Sequence, residues 1–533
     1  MSRGRASRKV SLRPREHLAR EQGAVSKDWG GRLPVALVYP NRYYLGMSNL
    51  GIHAIYRLLN DHPRIVCERV FLEEGWEGQP PRSLESGRPL ADFAVVAFSV
   101  SYELDYFHVA SLLKDSGLPL YSRQRQPGHP LVIAGGPCIT ANPMPLAPFF
   151  DCLCPGEAEA ILPAMLTLLL ESGGHRQEDL LDALSALPGC YVPERFTGGR
   201  ITRQWLPDLD AFPTHTTILS PDTELGDLYL IEAERGCPRG CRFCLVNTTF
   251  QPARFRSRER LVAQAREGLR FRRRIGLVGP AVADHPEIPG LLEDLLDMNA
   301  EISVSSLRIG SRSRRIIPLL ARGGARTVTL APEAGSLRLR RSIKKNIAEE
   351  EILETIAAAT AEGIEQIKLY FMLGLPGETE EDVQATVALM TAVRGVVLRQ
   401  KSGTRLAMNI APFVPKAGTP FQWLPVTPTP LLNRRLAQLQ RSLAPLGIQL
   451  KHESPAWSQV QGILSRGGTD VTPILAEMPE ISLSGWKRAV ARHGLDVDFY
   501  ARAWGTDQHL PWDFIDLGTP PEKLAEELCA AQS

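Results

Sequence analysis

The hydrophobic and polar positions change rhythm along the chain. Between residues 33 and about 172, short runs rich in Val and Ile recur: "LPVALVYP", "RIVCERVFL", "FAVVAFSV" and "PLVIAGGP". Apolar runs of this length, bounded by turn residues, read as strands buried on both faces. Between them the period lengthens to that of a helix, as in "LGIHAIYRLLND" and "YFHVASLLKDSG". Strand and helix in alternation predict an α/β fold with a doubly wound parallel sheet, whose ligand edge is the carboxyl end of its strands. Residues 173–222 are polar and punctuated by proline, and read as a connector with a few short strands. The alternation resumes through "LYLIEAERGC", "RIGLVGP", "EISVSSLRI", "RTVTLAPEAG", "EQIKLYFMLGLPGE" and "RLAMNIAPFVPK". These six strand candidates predict a curved parallel sheet or incomplete barrel over 223–425, with its chemistry on loops at the strands' C-terminal ends. From 426 to 533 the pattern is helical and contains tryptophans, which predicts a small C-terminal domain. Residues 1–32 begin "MSRGRASRKVSLRPREHLAR", lack an apolar stretch and read as a basic, partly disordered tail rather than a secretory signal.

Composition narrows the class. A chain of 533 residues has room for two or three domains, and 44% hydrophobic residues suffice for ordinary cores. Lys+Arg 61 against Asp+Glu 59 leaves a charge of +2, so bulk charge selects no partner. No run of 18 or more apolar residues is present, which argues against a membrane span. Nine cysteines are too few, and odd in number, for a secreted disulfide framework. A reducing cytoplasm is the expected setting. Basic clusters at "ARFRSRERL", "FRRRIG" and "SRSRR" read either as solvated helix faces or as a rim favouring an anionic substrate, RNA included. The absence of interleaved aromatics favours the first reading.

The candidate chemistry is concentrated in "ERGCPRGCRFCLV", where Cys237, Cys241 and Cys244 crowd into eight residues. Thiolates select zinc or iron–sulfur clusters. A closed zinc site wants four ligands, yet the next histidine, His285, stands alone with no second pair near it. Iron–sulfur clusters normally take four cysteines, so three leave one iron open to a small molecule. A zinc knuckle and packed free thiols are the alternatives.

Cys-x3-Cys-x2-Cys after a barrel-opening strand, with Phe243 before the last cysteine, resembles the radical SAM superfamily. The resemblance implies a 4Fe–4S cluster held by Cys237, Cys241 and Cys244, whose open iron chelates S-adenosylmethionine. Reductive cleavage then gives a 5′-deoxyadenosyl radical that abstracts hydrogen from substrate, with an electron donor such as flavodoxin or ferredoxin. "TLAPEAGSLRLRRSIKKNI" resembles the family's fourth-strand segment, which implies Glu333 at the ribose hydroxyls and Lys345 at the methionine carboxylate. The alternative makes Glu333 a helix-start carboxylate and "RRSIKK" a solvated face. "LYFMLGLPGETEED" resembles the fifth-strand segment, which brings Gly374 backbone near adenine; a tight turn before a capped helix explains the same residues. The usual Gly-Gly-Glu after the second strand is replaced by "LVGPAVADHPEI", leaving Gly279 backbone or Asp284 for the methionine amino group. Ser306 and Arg308 end the third strand, where SAM or substrate is met.

"VIAGGPCITANPMPLAPFFDCLCPGEAEAIL" resembles the last third of cobalamin-binding domains fused to radical SAM enzymes. The resemblance implies Gly135, Gly136 and Gly156 as loops that hold a corrin through backbone. The Asp-x-His-x-x-Gly signature is absent, so cobalt would lack a protein imidazole; a relic Rossmann-like cover is the alternative. "YPNRYYLGMSNLG", "FVPKAGTPFQW" and "LPWDFIDLG" extend the resemblance, to a branch carrying this N-terminal domain, over nearly the whole chain. In "FVPKAGTPFQW", Lys416 reads as a reach to the site mouth or as part of a proline-fixed lid. With cobalamin the expected reaction is methyl transfer; without it, rearrangement, cross-linking or sulfur insertion. Methylthiotransferase-like insertion wants a second cluster, for which Cys138, Cys152 and Cys154 are the candidates, while Cys67 and Cys190 read as ordinary buried thiols. The reading from another class is an RNA- or partner-binding protein with a structural cluster.

Overall fold

The computed structural model describes residues 14–72, 80–478 and 480–532. Five strands, β1 (Leu33–Tyr39), β2 (Ile65–Phe71), β3 (Val95–Ser99), β4 (Leu131–Gly135) and β5 (Cys152–Cys154), form a parallel sheet ordered β2-β1-β3-β4-β5. β1 is buried along nearly its whole length, which is why its sequence is an almost unbroken apolar run instead of alternating. Helices Leu50–Asp61, Tyr106–Asp115 and Pro137–Ala141 lie in crossovers between these strands, and Ala158–Ser172 follows β5. The first begins where the Asn49 side chain accepts the Gly51 N–H. Strand order reverses between β1 and β3, the place where open α/β sheets form a crevice.

The second half is an incomplete barrel. β6 (Leu228–Glu232), β7 (Arg274–Val278) and β8 (Glu301–Val304) pair in parallel as β8-β7-β6. β9 (Thr327–Glu333), β10 (Gln366–Leu373), β11 (Arg405–Pro412) and β12 (Gln449–His452) pair as β9-β10-β11-β12. One isolated bridge, Leu307 to Leu330, connects the two sheets. Six of these strands are the predicted ones. β12 is not: "QLKH" is a short, largely exposed edge strand with no apolar run to mark it. Ile231, Leu277, Ile302, Leu330, Leu369 and Met408 belong to the core beneath the barrel helices.

Three features tie the parts together. Residues 1–13 lie outside the described residues, but the rest of the expected tail is folded, because it supplies a buried counter-charge. A helix spans Pro14–Arg20, and the Glu21 carboxylate accepts from both Arg69 Nη atoms at 2.7 Å while Glu85 takes Nε at 2.7 Å. Arg69 is wholly buried, so losing either carboxylate would leave buried N–H donors without an acceptor. A second buried ion network joins the first sheet to the barrel. Glu157, following β5, accepts from Arg235 at 2.8 Å and Arg254 at 2.6 Å, and Glu232 of β6 accepts from Arg235 at 2.9 Å and Arg256 at 2.7 Å. Third, one apolar cluster combines Phe98, Tyr106 and Phe150 with Phe421, Trp423, Ile463 and Trp486. Phe107 meets Trp457 and Trp486 edge-on at 6.1 and 5.9 Å. Among the described residues, no helix is long and apolar enough to cross a membrane.

Candidate functional site

β6 feeds the cysteine loop, and glycine makes the turn. Gly236 has φ +78°, and a Cβ there would stand 2.5 Å from the Phe250 carbonyl oxygen. Cys237, Cys241 and Cys244 are half-buried free thiols on this loop. Their backbone is fixed from several sides: Gln251 donates to the Cys237 carbonyl at 2.7 Å, Asn247 to that of Cys241 at 3.2 Å, and Arg242 to the Ser342 carbonyl at 2.7 Å. Arg242 also meets Glu527, on the helix Pro521–Gln532, at 2.9 Å. Burial raises all three thiols, Cys244 to about 11. At Cys241 the cations Lys345 and Arg308 work against burial. A metal bound here would displace protons, and the two cations would stabilise the thiolates that form.

Glu333 ends β9 with φ +69°, a left-handed conformation rare for a side chain of this size. Its Oε1 accepts from Lys345 Nζ at 2.8 Å. "RRSIKK" is thus solvated only in part, with Arg341 and Lys344 exposed but Arg340 and Lys345 buried. Arg340 is 1% exposed and donates to the carbonyls of Gly335 (2.7 Å) and Ile347 (2.7 Å), shaping the loop that turns Lys345 inward. Arg308 is half-buried and Ser306 exposed beyond β8. Phe243 packs against the large apolar cluster. Gly374, φ +78°, is buried; its N–H donates to Glu378 at 2.8 Å and its carbonyl accepts from Thr427 at 2.8 Å. The turn itself thus accounts for that glycine.

Of the two candidates for an amino-group acceptor after β7, Asp284 is already engaged by Arg239, with Arg312 3.9 Å away. The Gly279 carbonyl accepts from Ser305 Oγ at 2.6 Å. Against Gly279 lies a carboxylate outside those motifs, Glu234; a Cβ on Gly279 would fall 2.4 Å from its Cγ. Glu234 Oε1 accepts the Ala281 N–H, while buried Oε2 has no partner, and burial pushes the group up to about 7. Its signal was its place, three residues before the first cysteine of the loop.

A second cavity, about 360 Å³, opens at the carboxyl edge of the first sheet. Gly135, Gly136 and Gly156 line it with Leu37, Ala97 and Phe98, and Glu157, Glu232 and Arg235 close it on the barrel side. Gly136 (φ +109°) and Gly156 (φ +135°) are required by the protein itself, since a Cβ would stand 2.5 Å from the Val100 carbonyl oxygen and 2.3 Å from that of Gln204. The apolar wall and glycine tips fit one face of a flat macrocycle, and no histidine lines the cavity. At about 360 Å³ it is at the small end of ligand pockets, so a corrinoid would project beyond it.

Other expectations are redirected. Lys416 turns away from the barrel mouth to Glu103 at 2.6 Å, bracing the "FVPKAGTPFQW" loop on the first sheet. In "ARFRSRERL", Arg254 and Arg256 are buried in the network with Glu157 and Glu232, and Arg258 pairs with Asp294 at 2.6 Å. Cys138 belongs to the apolar cluster on one side of the first sheet, and Cys152, Cys154 and Cys190 to that on the other. Cys190 is thus no isolated buried thiol.

A parallel half-barrel that presents three thiols after its first strand, with a carboxylate–ammonium pair beside them, defines the class: an enzyme built around an iron–sulfur cofactor. The chain belongs to the radical SAM superfamily. The superfamily's profile matches residues 231–390, and the profile described as "Radical SAM proteins, N-terminal" matches 51–193. The uncharacterized protein MJ0966 of Methanocaldococcus jannaschii is 31% identical over 83% of this chain and 90% of its own length. A tRNA-2-methylthio-N(6)-dimethylallyladenosine synthase of Cereibacter sphaeroides is 26% identical over 55% of this chain and 64% of its own. The solved structure of the cobalamin-dependent S-adenosylmethionine radical enzyme OxsB, with aqua-cobalamin and S-adenosylmethionine bound, shares the fold at TM-score 0.51 and 12% identity, over 94% of this chain and 79% of that one. Membership implies a 4Fe–4S cluster and S-adenosylmethionine.

Proposed function

We propose that Cys237, Cys241 and Cys244 ligate the cluster, and that the barrel over 223–425 cleaves S-adenosylmethionine reductively under a cap formed by 33–172. The observation that carries this reading is the set of three half-buried thiols on the loop after β6, with the 2.8 Å Glu333–Lys345 pair and Arg308 among the charges that act on Cys241. Once bound, the cluster and its nucleotide supply a 5′-deoxyadenosyl radical able to take hydrogen from an unactivated carbon. The chain's own residues orient and neutralise. Lys345 offers its ammonium to a carboxylate, Glu333 its free oxygen to hydroxyl donors, and Arg308 a second cation at the barrel mouth. Glu234, in place of the missing Gly-Gly-Glu acid, offers its unpartnered Oε2 to an ammonium. A positive charge there would bring the carboxyl down from about 7 and satisfy the buried oxygen.

Anaerobically reconstituted protein, given S-adenosylmethionine and dithionite, should form 5′-deoxyadenosine. Cys241→Ala should abolish it, and Glu234→Gln should raise the KM for S-adenosylmethionine more than it lowers kcat. Turnover by Cys241→Ala would sink the ligand assignment. We read the second cavity as the place of a corrinoid, supported by its apolar wall and glycine tips; methyl transfer would then be the reaction. Co-purification or reconstitution with hydroxocobalamin tests this, and no retained corrinoid would leave hydrogen abstraction without methyl transfer.

A further inference from the structure

β5 and the segment after it form a second arrangement of three thiols. Leu153 and Tyr191 bridge antiparallel, each N–H donating to the other's carbonyl at 2.8 Å. Neighbours of a bridged pair point to the opposite face from the pair itself. Cys152 and Cys154, on either side of Leu153, therefore share a face with Cys190, which precedes Tyr191. The three sulfurs lie within 4.8 Å of one another, the sole such group of metal-ligating side chains among the described residues. Three sulfurs this close, once deprotonated, suit one shared cation. Thiolates on a single tetrahedral zinc, at about 2.3 Å each, stand about 3.8 Å apart. Ligands of a cubane sit on different irons and are held much farther apart.

Surroundings define the ion further. Cys152 and Cys190 are 0% and 1% exposed, and Cys154, at 9%, lines the 360 Å³ cavity with Ile133 and Ile161. Three thiolates with a divalent ion leave one net negative charge in this apolar setting, against two with a monovalent ion, and the smaller buried charge is favoured. We propose that Cys152, Cys154 and Cys190 bind a single zinc ion whose fourth position opens toward the cavity. This site is independent of the cysteine loop's chemistry. With the first cluster built, Cys237, Cys241 and Cys244 are occupied; the full-length protein should then retain one added Zn2+ through gel filtration. The same retention is expected of a chain carrying Cys237→Ala, Cys241→Ala and Cys244→Ala, which separates this site from that reading. Cys190→Ser should lose the zinc, and Cys138→Ser and Cys67→Ser should keep it. Because a buried serine can itself disturb folding, Co2+ added to the unsubstituted protein gives a second readout, expected to show strong thiolate-to-cobalt charge-transfer absorption. No retained zinc, retention by a folded Cys190→Ser protein, absent charge transfer, or a disulfide between Cys190 and either partner would each overturn the proposal. So would extra iron bound in place of zinc.

Discussion

At Glu333 the backbone takes φ +69° and the side chain meets Lys345 at 2.8 Å, so conformational strain and a charge pair fall on one residue. Such strain costs roughly 1–3 kcal/mol and persists where the surroundings impose it. Two substitutions separate the contributions. Glu333→Gly relieves the backbone, Glu333→Gln keeps the strain, and both leave buried Lys345 without its carboxylate. Both should bind S-adenosylmethionine about tenfold or more weakly, the scale of one charged hydrogen bond. In thermal melts Glu333→Gly should be the more stable of the two; the reverse order would mean that the loop does not impose the strain. Residues of this kind are legible in sequence only through motif. "ERGCPRGCRFCLV" announces its cysteines, whereas Glu234 becomes visible only when Gly279 folds against it. Cys190 is 36 positions from Cys154 and joins it through a backbone bridge that no local pattern records.

Elements reach the site through contacts at their ends. The helix Pro521–Gln532 brings Glu527 to Arg242 and Lys344, fastening the cysteine loop to the segment after β9. Glu527 is a quarter exposed, so Glu527→Gln should cost no more than about 1 kcal/mol in stability. The loop, once loosened, should surrender its cluster to an iron chelator several-fold faster, with the melting temperature nearly unchanged. A second fastening is sensitive to pH. His53, on the helix Leu50–Asp61, accepts backbone N–H groups of Thr217 and Ile218 on Nδ1 at 3.2 and 3.3 Å, and Nε2 meets the Met47 carbonyl at 3.0 Å. Burial holds its imidazole down at about 4, below the ordinary 6.5. The unfolded chain therefore binds the proton first. Stability contributed by neutral His53 is complete above pH 6.5 and is lost as pH falls toward 4, by about 3 kcal/mol. Urea midpoints across that window should show the step, and His53→Gln should remove it. Most strands were legible because each is a buried apolar run with a turn behind it. β12 escaped because an exposed edge strand carries no such run.

For the whole molecule, the network of Glu157, Glu232, Arg235, Arg254 and Arg256 sets how the first sheet and the barrel are joined. Despite burial, Arg254 and Arg235 hold the Glu157 carboxyl below its usual range. Removing one member leaves a buried charge unmatched, so Glu157→Ala should cost about 3–5 kcal/mol. Denaturation should follow one cooperative transition for both halves; an early, separate unfolding of the first sheet would contradict this coupling. Sequence rhythm disclosed the two parallel architectures but not their fusion. That depends on arginines which, read linearly, looked like a solvated basic stretch.

The apolar cluster shared by Phe98, Tyr106 and Phe150 with Phe421, Ile463 and Trp486 has a consequence for biogenesis. A ribosome makes the first sheet long before the tryptophan-bearing segment that covers it. During that interval the nascent chain carries an oily surface with nothing to seat on it, so translation stalled or terminated early should yield chaperone-bound or insoluble product.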